Sequence, residues 1–342
     1  MDSNFLLVAL IIAVALAFDY INGFHDAANS IATVVATRVL SPAHAVIWAG
    51  FWNLCAVFFL STGVAATVGK GMVDLKFVTP YVILAGLLGA ITWNLLTWWW
   101  GLPSSSTHAL FGGYAGAAMA KVALSLGVEH VFEALVISGW IKTVSFIVIA
   151  PVLGMALAYL LMVAVHWAFQ SVAPNRVDRW FRWAQLASSA IFSFSHGAND
   201  AQKTMGIITS VLVTAGYLQT FAVPTAVIWA AYIAIAAGTM SGGWRIVRTM
   251  GARLTRLKPR GGFCAETAAA ISILFPTYLH MPVSTTHVIA GSIAGVGSIH
   301  RLKAVRWGLA TNILWAWLLT IPAAAAVGAI CMALIKIVAG KD

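Results

Sequence analysis

The chain has 342 residues, of which 61% are apolar and only 9% are charged. A soluble protein of this size needs more polar side chains to cover its surface, so the composition excludes a soluble enzyme. The formal net charge of +10 could suggest a nucleic-acid partner. The basic residues, however, form short runs between apolar stretches, which is typical of the cytoplasmic loops of a membrane protein. We therefore expect an integral protein of the lipid bilayer that binds no nucleic acid.

Apolar stretches rich in helix-forming residues follow one another along nearly the whole chain. A spanning helix needs about 20 apolar residues, and about ten to twelve membrane segments can be placed. Pro151 interrupts the stretch 131–169, which is therefore one kinked helix or two short ones, and the last stretch leaves the same choice. The pattern predicts an all-α, polytopic fold. The candidate segments are 4–21, 45–68, 77–100, 131–150, 152–169, 205–222, 224–243, 262–279, 284–299 and 307–338.

The basic residues also predict the orientation of the chain in the membrane. The region 244–261 is rich in arginine and contains no acidic residue, so we expect it to be a cytoplasmic loop. Two smaller basic clusters, at 176–182 and 301–306, are expected on the same side. A solvated inner face explains these charges more simply than a binding patch does.

Two motifs occur twice in the chain, in the same order and at nearly the same spacing. Residues 18–26 (FDYINGFHD) match 192–200 (FSFSHGAND) at an offset of 174, and 103–116 (PSSSTHALFGGYAG) match 282–295 (PVSTTHVIAGSIAG) at an offset of 179. We therefore predict two membrane repeats, 1–169 and 184–342, joined by a short cytoplasmic linker at 170–183. If the helices that begin at the second motif run in opposite directions, the repeats have inverted topology, as in secondary transporters.

Four acidic residues lie within or beside apolar stretches: Asp19, Asp26, Asp200 and Glu266. A charge in the membrane interior costs about 3 kcal/mol on insertion scales, so each must be paired, protonated or bound to a cation. Asp26 and Asp200 are equivalent in the repeat, and each follows a glycine by three residues, at Gly23 and Gly197. We expect helix breaks there that expose backbone groups to a binding cavity. A structural cap on a half-helix is the alternative.

Two further charged residues, Asp19 and Lys203, have no charged equivalent in the other repeat. Ser193 takes the place of Asp19, and structural and functional roles for Asp19 stay open. Lys203 follows Asp200 by three residues on one helical face, so it forms an ion pair or contacts an anion. Glu266 has no basic residue nearby in its own segment, and we expect it to couple transport to a cation or proton. A silent protonated carboxyl is the alternative.

The two Pro-x-Ser-x-Thr-His segments have the features of helix starts. Proline suits the first turn of a helix, and Ser or Thr caps its free N–H groups. Two such starts that meet would present N–H donors, positive dipole ends and hydroxyls, which suits phosphate or sulfate better than a cation. For either segment alone, plain capping is the alternative. The hydroxyl residues are Ser105, Ser106, Thr107, Ser284, Thr285 and Thr286.

At these motifs the chain resembles the PiT family of inorganic phosphate transporters over nearly its whole length. The segments that carry the resemblance are NGFHDAANS (22–30), PSSSTH (103–108), SHGANDA (195–201) and PVSTTH (282–287). The resemblance implies a symporter that moves phosphate into the cytoplasm, with phosphate held by the six hydroxyl residues together with Asp26, Asn29, Asn199 and Asp200. It also implies that the coupling cation is held by Asp26, Asp200 and Glu266.

The resemblance is closest to the bacterial low-affinity branch, which implies a multi-pass protein of the bacterial inner membrane. That branch is driven by protons and carries phosphate as a neutral metal complex. Sodium-coupled members have a Glu where this sequence has Asn53, so we include Asn53 among the coupling residues and favour the proton. No cofactor is expected beyond the co-transported proton or sodium, and a divalent metal carried with phosphate is left open, as is a homo-oligomer.

Three rival functions are considered. A symporter of sulfate or another oxyanion would use the same donors. An intramembrane hydrolase would need a Ser with His108 or His287 and an Asp, but it does not explain two copies of each motif. A channel is the third alternative, but carboxylates near the middle of the membrane are more typical of a transporter that works by alternating access.

Overall fold

The computed structural model describes residues 3–58, 61–299 and 305–340, and within these residues the chain is helical throughout, apart from turns and one isolated β-bridge between Val73 and Leu135. The helices of the first half are α1 (Ser3–Ala36), α2 (Pro42–Cys55), α3 (Gly63–Gly71), α4 (Pro80–Trp100), α5 (Ser106–Ser125) and α6 (Ile137–Ala168). Those of the second half are α7 (Pro174–Thr214), α8 (Thr225–Ser241), α9 (Trp244–Val247), α10 (Pro259–Tyr278), α11 (Thr285–Ser298) and α12 (Trp307–Ala339). The all-α prediction is confirmed.

Four of these helices, α1, α4, α6 and α12, are long and apolar enough to cross a membrane by themselves. The number rises to six if α2 with α3, and α8 with the turns that follow it, each count as one bent span. Other helices are shorter or more polar. For example, the 14 residues of α11 extend only about 21 Å, whereas the hydrocarbon core is about 30 Å thick. The chain is therefore a multi-pass membrane protein with several segments that lie inside the bundle.

The helices are longer and less often interrupted than the sequence suggests, both at prolines and in the expected loops. Pro151 and Pro322 both lie inside continuous helices, α6 and α12, so each of these stretches is one helix. Helix α7 already begins at Pro174, so most of the expected linker 170–183 is helical. The expected loop 244–261 contains α9, a π-helical segment at Arg248–Arg253 and the start of α10. Arg301 and Lys303 of the third basic cluster lie outside the described residues.

The helix breaks predicted at Gly23 and Gly197 are wrong, because α1 and α7 run through both motifs without interruption. Both glycines instead allow close helix packing. A Cβ at Gly23 would overlap the carbonyl oxygen of Ile235 in α8, and one at Gly197 would overlap the carbonyl oxygen of Asn53 in α2. Small residues at such crossings let two backbones approach each other. The motif glycines therefore position neighbouring helices rather than interrupting their own.

The same helix pairs form in both halves. Helix α1 packs on α4 as α7 packs on α10, and α5 packs on α12 as α11 packs on α6. The two long motif helices, α1 and α7, also contact each other and the helix after the partner motif helix, α8 and α2 respectively. Large apolar side chains of α6 and α12, such as Val148 and Leu318, are exposed and form a surface suited to lipid. The polar motif residues thus lie in the interior, on α1, α7, α5 and α11.

Candidate functional site

The two Pro-x-Ser-x-Thr-His segments meet in the interior. The Ser105 hydroxyl accepts a hydrogen bond from the backbone N–H of His108 at the start of α5, and the Ser284 hydroxyl accepts one from that of His287 at the start of α11. The rings of His108 and His287 lie 4.8 Å apart. Two helix N-termini, with their partial positive charge and free N–H groups, therefore lie side by side.

Asp26 of α1 lies at this meeting point and is almost fully buried. The neighbouring His25 places Nδ1 2.9 Å from Asp26 Oδ1. Three hydroxyls from the helix starts donate longer hydrogen bonds of 3.4–3.5 Å to the carboxylate. They belong to Ser106, Thr285 and Thr286. Asp26 is thus connected to the beginnings of both α5 and α11.

Asn29 lies one helical turn after Asp26 and faces the same helix start. Its side-chain amide donates to Thr286 Oγ1 at 2.9 Å and to Thr285 Oγ1 at 3.4 Å. The predicted phosphate residues Asp26, Asn29, Thr285 and Thr286 are therefore brought together in one buried cluster.

Asp200 of α7 forms the second half of this cluster with Lys203. The Lys203 ammonium group contacts Asp200 Oδ1 at 2.6 Å, Thr107 Oγ1 at 2.5 Å and the backbone carbonyl of Val283 at 3.1 Å. The ion pair expected from their spacing is present, and Lys203 also reaches the hydroxyl of the α5 start. The pair is fully buried, and the further hydrogen bonds of Lys203 to Thr107 and Val283 offset part of the cost of removing both charges from water.

His196 lies between the two aspartates. Its Nε2 is 3.5 Å from Asp200 Oδ2 and 4.0 Å from Asp26 Oδ2, whereas Nδ1 lies 3.2 Å from Asn53 Oδ1. Asn53 in turn donates to Thr239 at 2.8 Å. Asn53 therefore does not contact the aspartates directly, but it holds the histidine that does.

These residues bring together the groups that could hold a cation beside an anion. One ligand atom each from Asp26, His196 and Asp200 lie within 4.8 Å of one another. Carboxylate and imidazole are common ligands of divalent metals. The cluster also holds two carboxylates against one ammonium group, so an anion that enters it needs further positive charge.

Other predicted site residues lie outside this cluster. Ser105 and Ser284 act as helix caps, as the alternative interpretation of these segments proposes. The Asn199 amide donates to Thr277 Oγ1 and to the backbone carbonyl of Met281, and its oxygen accepts from the backbone N–H of Val283. Asn199 thus holds the segment that leads into α11.

The position of Asn199 has a counterpart in the first repeat. The residue equivalent to Asn199 at an offset of 174 is His25, and His25 Nε2 contacts Thr97 Oγ1 at 3.1 Å and Ser104 Oγ at 3.4 Å, just before α5. Both residues therefore tie a motif helix to the segment before a helix start. This shared role indicates positioning of that segment.

Glu266 lies in a separate polar pocket formed by α1, α7 and α10. Its carboxylate accepts hydrogen bonds from Thr33 at 2.6 Å, Gln185 at 2.9 Å and Ser188 at 2.5 Å. Among the described residues it makes no hydrogen bond to the Asp26 and Asp200 cluster. Glu266 is therefore held by its own set of hydrogen-bond donors, different from those of the two aspartates.

The Glu266 pocket has no polar counterpart in the other half. At the offsets of 174 and 179, the residues equivalent to Glu266, Gln185, Ser188 and Thr33 are all apolar. They are Leu87, Ile11, Val14 and Ile207, and they belong to or pack against one hydrophobic cluster. The two halves thus both contribute to the cluster of Asp26 and Asp200 but differ here.

Two residues of the cluster, Lys203 and His196, stand outside the set predicted from sequence to bind phosphate or the cation. The sequence feature that could have identified them is their position near Asp200 in the second copy of the first motif. Lys203 follows Asp200 by three residues, and His196 precedes it by four. In the first repeat, the equivalent positions hold Asn29 and Asn22. Because these residues differ in type from Lys203 and His196, comparison of the two repeats did not identify Lys203 and His196 as site residues.

Comparison with known proteins agrees with this architecture. A model of the phosphate transporter family matches residues 22–328. A probable low-affinity inorganic phosphate transporter of Rhizobium meliloti is 53% identical over 95% of each chain. One of Bacillus subtilis is 43% identical over 99% of this chain and 100% of its own.

A solved structure described as the sodium-dependent phosphate transporter has the same fold, with a TM-score of 0.84 at 24% identity over 97% of this chain and 99% of that one. These relatives are transporters and not enzymes, which excludes the hydrolase alternative. The resemblance drawn from the four motif segments is confirmed, and this chain belongs to the phosphate transporter family.

Proposed function

We propose that the chain imports inorganic phosphate into the bacterial cytoplasm by symport with a cation, and that the proton is the coupling ion. The observation that carries the proposal is the meeting of the two helix starts beside Asp26 and Asp200. Phosphate is held there by the hydroxyls of Ser106, Thr107, Thr285 and Thr286, with Asn29 as a further donor and the positive charge of Lys203 beside them. Neutral donors suit a transporter, because they bind an oxyanion and still release it.

The charges of the cluster support cation coupling. Asp26 and Asp200 carry two negative charges, and Lys203 supplies one positive charge. Phosphate adds at least one more negative charge, and buried like charges repel strongly in a medium of low polarity. Phosphate therefore enters together with cations that neutralise the aspartates. Asp26, Asp200 and Glu266 are the acidic groups that we assign to this role.

The choice of the proton rests on Asn53. A carboxylate at this position would face His196 and add a fixed negative charge, whereas the neutral amide bonds to Thr239 and His196. Less negative charge weakens a site for a second metal cation. The structural relative is described as sodium-dependent, so sodium coupling is the second candidate.

A metal–phosphate complex is a further candidate for the transported substrate. Asp26, His196 and Asp200 offer a divalent metal two carboxylates and one imidazole. The metal would neutralise both the aspartates and the phosphate, and the complex would cross without a net anionic charge. In that case, uptake of phosphate depends on magnesium or a similar ion.

The test is uptake of labelled phosphate into proteoliposomes with an imposed inward proton gradient, with and without sodium and with and without magnesium. We expect accumulation that needs the proton gradient, ignores sodium and is competed more strongly by phosphate than by sulfate. Uptake driven by sodium alone would contradict the argument from Asn53. Equal competition by sulfate would contradict the assignment of phosphate as the specific substrate.

The proposed site is tested with Asp26→Asn, which keeps the size of the side chain and removes its charge. We expect uptake to fall to the level of liposomes without protein while the variant stays folded, since the cation that accompanies phosphate loses a ligand. Full activity of Asp26→Asn would refute the proposed site.

A further inference from the structure

Asp19 differs from the other buried acids in its surroundings. It is completely buried in α1, and among the described residues neither of its carboxylate oxygens has a hydrogen-bond partner. Asp26 contacts His25, Asp200 contacts Lys203, and Glu266 accepts from three donors. A buried carboxylate without donors is costly. The carboxyl of Asp19 is therefore stable in this position only when a proton or a bound cation neutralises it.

Further unpaired oxygen atoms surround the Asp19 carboxylate. Asn22 of α1 and Thr204 of α7 lie beside it, and Tyr232 of α8 lies within its electrostatic range. The side-chain oxygens of all three are buried and have no hydrogen-bond partner in the described part of the chain. Residues of three helices thus place neutral oxygen atoms near one carboxylate, and oxygen is the ligand atom that hard cations prefer.

Lys203 does not neutralise Asp19, although its charge acts on it. An ammonium group has three N–H donors, and those of Lys203 point to Asp200, Thr107 and the carbonyl of Val283. No donor is left for Asp19 in this arrangement. Among the described residues, no positively charged group donates a hydrogen bond to Asp19.

The helices around Asp19 leave little room for rearrangement. A Cβ at Gly238 of α8 would overlap the carbonyl oxygen of Tyr20, and one at Gly23 would overlap that of Ile235. The backbones of α1 and α8 are therefore in close contact on both sides of the cluster.

We propose that Asp19, Asn22, Thr204 and Tyr232 form a cation site separate from the phosphate cluster, and that one further co-transported cation binds there in addition to any cation held by Asp26, Asp200 and Glu266. This assignment rests on the proposed function as a cation symporter. A proton on the carboxyl and a sodium ion among the oxygens have the same effect, because each neutralises Asp19. Asp19 and Asp200 interact through their charges, so a cation at Asp19 also lowers the repulsion that phosphate meets at Asp200. That interaction links the two sites.

The test compares Asp19→Asn with Ser193→Ala in proteoliposomes. Ser193 is the equivalent of Asp19 in the second repeat and is equally buried. Two quantities are measured, namely accumulation driven by a proton or a sodium gradient and exchange of phosphate across the membrane without a gradient. We expect Asp19→Asn to lose accumulation at least tenfold and to retain exchange within about threefold, since Asn mimics the neutralised carboxyl. Ser193→Ala should keep both.

The gradient that drives the native protein identifies the cation. Accumulation by Asp19→Asn at the native level would overturn the proposal. Tyr232→Phe removes one ligand without changing a charge, and we expect it to raise the cation concentration for half-maximal uptake at least threefold. If Asp19→Asn loses exchange as well and Tyr232→Phe behaves like the native protein, Asp19 serves folding alone and the proposal is wrong.

A binding measurement separates this proposal from the proposed function. Cation binding raises the melting temperature of the native protein in detergent, and we expect this rise with sodium or with acidification to disappear in Asp19→Asn and to persist in Ser193→Ala. If the native protein moves no phosphate but shows this difference, the transport function fails and the cation site stands. Equal rises in the native protein and Asp19→Asn would overturn the cation site.

Discussion

Three acceptors surround the ammonium group of Lys203 in the interior of the bundle, and each comes from a different part of the chain. One is the Asp200 carboxylate of its own helix, one the Thr107 hydroxyl at the start of α5, and one the carbonyl before α11. The residue therefore connects both helix starts to α7. Removal of the ammonium group leaves the carboxylate without an opposite charge and the two oxygen acceptors without a donor, in an interior of low polarity.

We expect Lys203→Met to lower stability by about 3–5 kcal/mol, because it leaves Asp200 as an uncompensated buried charge. The double variant Lys203→Met with Asp200→Asn should be less destabilised than Lys203→Met alone, since no unpaired charge remains. Both should fail to transport phosphate. Thermal unfolding in detergent measures the first effect and proteoliposome uptake the second. A double variant as unstable as the sum of its single variants would contradict the ion pair.

Glu266→Gln tests the coupling role that we predict for the Glu266 carboxyl group. We expect slower uptake with a flatter pH profile, because the variant keeps the shape of the side chain and removes the group that can exchange a proton. Thr33→Val is the control, since it removes one donor to Glu266 and keeps the carboxylate. It should keep the native pH profile. An unchanged profile in Glu266→Gln would show that Glu266 carries no coupling proton.

For single residues, the sequence predicts a role that depends on neighbours along the chain and misses a role that depends on partners far away in the sequence. The caps at Ser105 and Ser284 follow from the neighbouring proline and from helix geometry, and the structure has them. The donors to Glu266 come from α1 and α7, 78 to 233 residues away along the chain. No local pattern identifies such partners.

At the scale of the helices, glycine proved ambiguous in the sequence. Gly23 and Gly197 precede acidic residues in an apolar segment, a pattern that broken transporter helices also have. The structure uses both for packing against α8 and α2, and the choice depends on the neighbouring helix, which the sequence does not reveal. Pro151 and Pro322 were similarly ambiguous, and α6 and α12 accommodate them without interruption.

The packing role of Gly23 can be tested by adding one methyl group. We expect Gly23→Ala to lower stability by about 1–3 kcal/mol, because the new Cβ meets the backbone of α8 and the helices must separate. Gly308→Ala in α12 is the matched control, since no atom lies within 4 Å of its added Cβ. It should be neutral or slightly stabilising. Thermal unfolding of both variants checks the prediction, and equal stability would contradict close packing at Gly23.

At the scale of the whole molecule, the two halves repeat the same order of helices and the same pairs of packed helices. The motif offsets in the sequence already predict two halves. Their opposite orientation in the membrane stays a prediction, because it depends on where the ends of equivalent helices lie relative to the bilayer. Helices α5 and α11 begin side by side, so the positions of their last residues test the orientation.

We expect Ser125→Cys at the end of α5 and Ser298→Cys at the end of α11 to react with a membrane-impermeant thiol reagent from opposite sides. The background lacks the three native cysteines, Cys55, Cys264 and Cys331. Inverted repeats send equivalent helices in opposite directions. Labelling of both cysteines from the same side would show that the repeats are parallel, and would also contradict alternating access by exchange of equivalent halves.

The difference between the Glu266 pocket and its apolar equivalent around Leu87 has a consequence for the empty carrier. When helices separate at a hydrogen-bonded seam, water replaces the lost partners at small net cost, whereas separation at an apolar seam exposes hydrocarbon to water. The two openings of one carrier are therefore unequal in energy. Without substrate, it should rest open at the seam of Glu266, near the basic region 244–261, and the phosphate concentration for half-maximal transport should therefore differ between the two sides of the membrane.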